Sequence, residues 1–119
     1  MRLLKAAGNT LRGIRHGLGQ DAAIRQVSLL VVVLCVAALC LPVARLERLI
    51  LILTLLQVAL AEYFNSAIEV AIDRISLDYH PLSGLAKDLA SVAVGIAVLM
   101  CGLAWAVIGL PLLVDWFND

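Results

Sequence analysis

Residues 89–114 read LASVAVGIAVLMCGLAWAVIGLPLLV, 26 positions without one charged side chain. A helix needs about 20 apolar residues to cross a bilayer, so this run is long enough to span one. Val27 to Ala44 is likewise uncharged over 18 residues. Leu49 to Ala61 is uncharged over 13 and is then interrupted by Glu62. This middle run reaches spanning length only if Glu62, Asn65 and Glu69 are taken into the helix near one membrane boundary. The whole chain of 119 residues is 63% hydrophobic, with a mean hydropathy of +1.02. Soluble domains are closer to half apolar. The pattern predicts a single all-α membrane domain over residues 1–119. It has an interfacial helix at 1–25 and spans at about 27–44, 49–72 and 89–114.

Composition excludes several classes. Formal net charge is zero and aromatics are 5%, which argues against nucleic-acid binding by field or by stacking. Cys35, Cys40 and Cys101 lie in apolar runs without metal-ligand spacing, where cysteine behaves as a small hydrophobe. The first apolar run begins only after 26 residues. A cleavable signal has a much shorter charged region, so this run is expected to be a retained anchor. No internal repeat, low-complexity segment or linker is present.

Charge sets the expected orientation. Arg2, Lys5, Arg12, Arg15 and Arg25 precede the first span, and Arg74 and Lys87 lie between the second and third. Only Arg45 and Arg48 fall between the first and second, and no Lys or Arg follows the third. The positive-inside rule then places the N-terminus and the 73–88 loop in the cytoplasm. The tail with Asp115 and Asp119 is expected outside. Pro42 fits the end of the first span, and Pro81 and Gly84 punctuate the cytoplasmic loop. In the lead segment Leu3, Ala7, Leu11, Ile14 and Leu18 share one helical side, opposite Arg2, Lys5, Asn9, Arg12 and His16. That is the pattern of a helix lying in the headgroup plane. Gly8, Gly13, Gly17 and Gly19 weaken such a helix, yet they also permit close approach of a ligand to the backbone. A plain surface anchor accounts for the segment as well.

The chemistry concentrates in AEYFNSAIEVAIDR, residues 61–74. With Glu62 at zero, Asn65 lies near about −60°, Ser66 +40°, Glu69 −20° and Asp73 +20°, at about 100° per residue. Three carboxylates, an amide and a hydroxyl therefore share one stripe. Carboxylates on a spanning helix are costly and usually face an interior. A bound cation, a shared proton or a basic partner would relieve their mutual repulsion. Mg²⁺ prefers oxygen ligands and commonly takes one or two carboxylates plus substrate phosphates. A solvated acidic helix end is the competing reading. Asp21 with Arg25, and Lys87 with Asp88 and Ser91, fall on the same expected side, although an ordinary ion pair and an interfacial anchor explain them too. No Walker loop, GxGxxG or nucleophile elbow is present. The residues alone thus reach a cytoplasmic-side, divalent-metal-dependent acidic site, and neither ATP nor a lipid.

The run from Glu62 to Arg74, followed by Asp78-Tyr79-His80-Pro81-Leu82-Ser83-Gly84-Leu85-Ala86-Lys87-Asp88, resembles the signature of the prokaryotic diacylglycerol kinases. Lys5-Ala6-Ala7-Gly8 and Asp21-Ala22-Ala23-Ile24-Arg25-Gln26 resemble that family as well, and the likeness runs from about Leu3 to Gly109. The resemblance implies a homotrimer in the bacterial inner membrane, multi-pass, with a cytoplasmic N-terminus and active sites at subunit interfaces. It implies direct transfer of the ATP γ-phosphoryl group to diacylglycerol, with Mg²⁺, to give phosphatidic acid. By the same resemblance Glu62 is the general base and Asn65 its neighbour in catalysis. Asp21 and Glu69 occupy metal and ATP positions, and Asp21 stands where the family usually has Glu. Arg2, Asn9, Asp78, Tyr79, His80, Lys87 and Asp88 match nucleotide-contacting positions, with Asn9 in place of a more usual aromatic. The implied lipid contacts are Arg2, Ala6, Ala7, Gly8, Asn9, Thr10, Leu11, Arg15, His16, Gly17, Leu18, Ala23, Ile24, Arg25, Gln26, Val27, Arg48, Glu62 and Ser91.

Two rivals are weighed against this reading. Undecaprenol kinase is a near relative, but the Asp73-Arg74-Ile75 and Leu82-to-Asp88 segments resemble the diacylglycerol branch more. A small oligomeric transporter would explain Glu62 and Glu69, but a through-pathway should carry polar residues across its whole depth. Small residues at Ala59, Ala61, Ala67 and Ala71 would permit close helix packing.

Overall fold

The computed structural model describes all 119 residues. They form four helices and no strand: α1 (Arg2–Gln20), α2 (Ala22–Cys40), α3 (Arg45–Ile75) and α4 (Pro81–Asn118). The expected all-α architecture, a leading amphipathic helix followed by three apolar ones, is what the chain adopts. Helices α2, α3 and α4 are each long and apolar enough to cross a membrane. Their 19, 31 and 38 residues make them about 28, 46 and 57 Å long at about 1.5 Å per residue. The hydrocarbon core is about 30 Å thick. Both α3 and α4 therefore overhang it, and the overhang of α3 has room for polar chemistry.

The helix ends follow from local side chains, and they differ from the apolar limits. Residues 1–25 do not form one helix. The chain breaks at Asp21, whose backbone is extended (φ −112°, ψ 110°). Asp21 Oδ1 accepts from the Ile24 N–H at 3.1 Å, so Asp21 is the N-cap of α2, a position that favours Asp. At the far end of α2, Pro42 holds Leu41 extended (φ −75°, ψ 143°), and the helix stops at Cys40. Glu47 Oε1 reaches back to the Ala44 N–H at 3.0 Å and starts α3. The expected 73–88 loop is much shorter in the structure. Helix α3 runs on to Ile75 and α4 begins at Pro81, leaving residues 76–80 between them. Pro81 opens α4 rather than interrupting a loop, because its fixed φ suits the first helical position. His80 Nδ1 accepts from the Leu82 N–H at 3.1 Å and caps the same end. Gly84 lies inside the first turns of α4.

Helix α3 packs against both α2 and α4, and α1 packs against α2. The molecule measures 58 × 40 × 22 Å, only about two helix diameters deep at its thinnest. Eleven of 119 residues are buried, so most apolar side chains face outward, as lipid permits. The small residues used in tight contacts are Ala38, Ala90 and Ala97. Ala67 and Ala71 are exposed, and Ala59 and Ala61 half-buried, so α3 does not spend its small residues on packing within the chain. One core cluster holds Ala38, Leu51 and Ile108, with Trp105 and Ile52 against it. Arg48 closes this end: Nε donates to the Ala38 carbonyl at 3.2 Å and Nη2 to the Leu41 carbonyl at 2.9 Å. These are carbonyls at the end of α2 that no helical N–H reaches.

Arg48→Met should retain helix content but lose about 1–3 kcal/mol of stability, since two charge-assisted bonds disappear. Unfolding in mixed micelles titrated with dodecyl sulfate measures this loss.

Candidate active site at the junction of α1, α2 and α3

The acidic stripe of α3 is graded by burial. Glu62 and Ser66 are the two buried polar residues of the chain, each 8% exposed. Asn65 is half-buried, and Glu69 and Asp73 are exposed. The stripe thus begins in the packed part of α3 and ends in its overhang. Asp21 joins it from the α1–α2 break: Ser66 Oγ donates to Asp21 Oδ2 at 2.7 Å. That bond, and next the one from the Ile24 N–H, hold the Asp21 carboxyl below its ordinary value, against a smaller opposing effect of burial. Asn65 Nδ2 donates to Glu69 Oε1 at 3.4 Å. The charged neighbours of Glu62 are Asp21 and Glu69.

Helix α1 lies over this corner and makes a cleft of about 640 Å³, with Gly13, His16 and Gly17 on one wall and Tyr63, Ser66 and Glu69 on the other. Asp21 and Ile24 close its end. Close contact needs glycine at position 17. A Cβ there would stand 3.1 Å from Ile24 Cγ2 and 3.2 Å from Tyr63 Cε1, closer than ordinary van der Waals contact.

The donors that α2 and α3 bring to this cleft are oxygens, and His16 adds an imidazole from α1. Asp21 and Glu69 supply carboxylates and Ser66 a hydroxyl, and the Oδ1 of Asn65 is buried with no partner. An orphaned buried acceptor on the residue bonded to Glu69, next to a cleft that holds two carboxylates, fits a hard, oxygen-seeking cation. No group of three or more His, Cys, Asp or Glu side chains is assembled in ligating geometry, so the protein offers two carboxylates rather than a full cage.

The structure brings Asp21, Glu62, Asn65 and Glu69 together, with His16, Gly17 and Ile24 around them. Lys87 of α4 reaches the end of the stripe, its Nζ 2.9 Å from Asp73 Oδ1. Ser91 lies one turn beyond Lys87, exposed like Asp88. Asp78, Tyr79 and His80 form the exposed link into α4. Other expected residues stay apart within one chain. Asn9 accepts from Arg12 on α1 and is about 18 Å from Asp21 along the helix axis at about 1.5 Å per residue. Arg2, Ala6, Ala7, Gly8, Thr10, Leu11, Arg15 and Leu18 line the free length of α1. Ala23, Arg25 and Gln26 are exposed and Val27 half-buried on α2, and Arg25 Nη1 donates across to the Leu18 carbonyl at 3.4 Å. Arg48 is at the opposite end of α3, about 21 Å along the axis from Glu62 at the same rise, engaged with α2. Sequence reasoning gave no role to Tyr63 or to the Asp73–Lys87 pair. Both contacts join separate helices and leave no periodic signal.

Three apolar helices with carboxylates, an amide and a lysine gathered toward one end define a polytopic membrane protein with a polar site at the lipid–water boundary. The family model described as prokaryotic diacylglycerol kinase matches residues 8–109. A diacylglycerol kinase of Escherichia coli (strain K12) is 40% identical over 107 residues, covering 90% of this chain and 88% of that protein. One of Pseudomonas aeruginosa is 43% identical over 107 residues, 90% and 87% of the two chains. One of Haemophilus influenzae is 32% identical over 103 residues, 87% of each. The chain belongs to the prokaryotic diacylglycerol kinase family. It is a membrane protein of a bacterial family, as its sequence signature implied.

Gly17→Val should push α1 off the Tyr63–Ile24 contact and cost about 1–3 kcal/mol, the usual range for overpacking. Faster proteolysis of α1, with α2–α4 still protected, is the expected readout.

Proposed function

We propose that the protein catalyses ATP-dependent phosphorylation of diacylglycerol at the cytoplasmic face of the bacterial inner membrane, giving phosphatidic acid and ADP. The observation that carries this reading is Glu62, a buried carboxylate on a membrane helix, beside an open cleft holding two further carboxylates. Such a group is expensive in this setting unless it is used.

In this reading Glu62 accepts the proton of the lipid's primary hydroxyl. The hydroxyl oxygen forms a bond to the γ-phosphorus as the bond from γ-phosphorus to the β-bridging oxygen breaks, and ADP leaves with that electron pair. The transfer needs an in-line approach and compensation of phosphate charge, and little other chemistry from the protein. Asn65 orients groups beside the base. Asp21 and Glu69 would hold Mg²⁺, which, bound with ATP, supplies charge neutralisation on the phosphate oxygens. Lys87 adds a cation to the polyphosphate by exchanging Asp73 for it. Asp88, Asp78, Tyr79 and His80 bound the nucleotide, with Arg2 and Asn9 from α1. The lipid lies along α1 and the start of α2, from Ala6 to Leu11, Arg15 to Leu18 and Ala23 to Val27, with Ser91 near its headgroup. Arg48 is too far along α3 to meet the reacting hydroxyl and could touch only a lipid tail.

A homotrimer belongs to this proposal. A slab 22 Å deep with 11 buried residues cannot enclose a polar site by itself. Arg2 and Asn9 could reach such a site more readily on a neighbouring copy. The charge distribution supports a cytoplasmic N-terminus.

Phosphate transfer from labelled ATP in mixed micelles with Mg²⁺, comparing diacylglycerol with undecaprenol, tests the reaction. Label in phosphatidic acid is expected. Label only in the polyprenol would reassign the substrate, and label in neither would overturn the kinase reading. Glu62→Gln should lower turnover by at least about 100-fold, the scale of a lost general base, with the assembly still folded. Glu69→Gln should raise the Mg²⁺ concentration needed for half-maximal rate, and an unchanged requirement would remove it as a ligand.

A further inference from the structure

Of the two buried polar side chains, Glu62 has been given a task and Ser66 has not. Ser66 is as buried as Glu62, at 8% exposure. A buried hydroxyl is costly unless its hydrogen bond is made. Its one bond goes to Asp21 Oδ2, at 2.7 Å, across 45 residues of chain. No other side-chain hydrogen bond connects α3 to the α1–α2 break.

Asp21 is held from two directions. Oδ1 takes the Ile24 N–H of α2 at 3.1 Å, and Oδ2 takes the Ser66 hydroxyl of α3 at 2.7 Å. An Asp side chain has two torsions, and two bonds from two elements fix both. A carboxylate has about four acceptor positions in all, so Asp21 keeps capacity for a cation beside these bonds. Glu69 lies one turn beyond Ser66 on α3 and lines the same cleft. The distance between the two carboxylates is therefore set through Ser66. The packing of Gly17 against Ile24 and Tyr63 brings the α1–α2 break close enough for the bond to form.

We propose that Ser66 is a positioning residue for the cation site: its hydroxyl fixes the Asp21 carboxylate relative to Glu69 and docks the α1–α2 break on α3. The proposal rests on Asp21 and Glu69 being the cation ligands in the function proposed above. It gives a physical sense to aspartate at position 21. A shorter acid can cap α2 and still meet Ser66, with fewer torsions to order.

The test is binding without turnover. Mn²⁺ with β,γ-methylene-ATP is titrated into the full-length protein in micelles, and free Mn²⁺ is read by electron paramagnetic resonance. Ser66→Ala should weaken Mn²⁺ binding about 10–100-fold, the usual effect of removing a partner that orients a ligand, with helix content unchanged. Ser66→Thr keeps the hydroxyl and should return most of the affinity, which separates the bond from simple loss of packing. Asp21→Asn should weaken binding, and adding Ser66→Ala to it should change nothing further, because Ser66 acts through Asp21. Wild-type affinity in Ser66→Ala beside a weakened Asp21→Asn would overturn the role of Ser66 and leave the function standing. A full further loss in the double variant would overturn it too, placing Ser66 elsewhere in the mechanism. Wild-type affinity in Asp21→Asn would remove the cation role of Asp21, and this proposal with it.

Discussion

Inside a bilayer no water is available to a backbone N–H or C=O, and an unpaired one costs several kcal/mol. The rest of this structure depends on that constraint. It makes every membrane segment a helix and forces each helix end to find partners or leave the hydrocarbon. The ends are accordingly closed by side chains: Asp21 for the start of α2, Arg48 for its end, Glu47 for α3 and His80 for α4. Tight apolar packing contributes less, since lipid offers outward-facing leucines and valines an environment as apolar as the protein core.

The same constraint locates the chemistry. Helices about 46 and 57 Å long cannot fit within about 30 Å of hydrocarbon, so part of α3 and α4 stands in the headgroup region or beyond. Glu62 and Ser66 mark where α3 changes from a packed apolar helix to a polar one. In the function proposed above, a carboxylate there would meet the lipid hydroxyl, while Glu69, Asp73 and Lys87, a turn or more further out, would meet a water-borne donor. An enzyme that joins two such substrates would have a use for a helix that crosses this boundary without a break.

The α1–α2 break is where surface helix and stripe become one unit. A single residue, Asp21, ends α1, caps α2 and accepts from α3. Gly17 and Ile24 supply the close contact that lets it do all three.

Much of this was legible in the sequence. The uncharged runs determined the first and third spans, because the cost of a charge in hydrocarbon is large and local, and the second followed once Glu62, Asn65 and Glu69 were admitted to its helix. The 100° rotation per residue determined that Glu62, Asn65, Ser66, Glu69 and Asp73 share a stripe, because α3 continues unbroken through them. The family signature in residues 61–88 was visible as well. The helix ends were less legible. The resemblance marks Asp21 as an acid of the site, whereas its role as a cap depends on a backbone turn that periodicity does not encode. In sequence Pro81 and Gly84 look like loop punctuation, although Pro81 opens α4 once His80 caps it. Only the tertiary structure decided which acids are buried, that Ser66 holds Asp21, that Lys87 pairs with Asp73, and that Arg48 is engaged at the far end of α2. Each of these joins residues from different elements, and their meeting is set by how α2 and α4 pack on α3 and α1 on α2, an energy summed over many weak contacts that no single stretch of sequence contains.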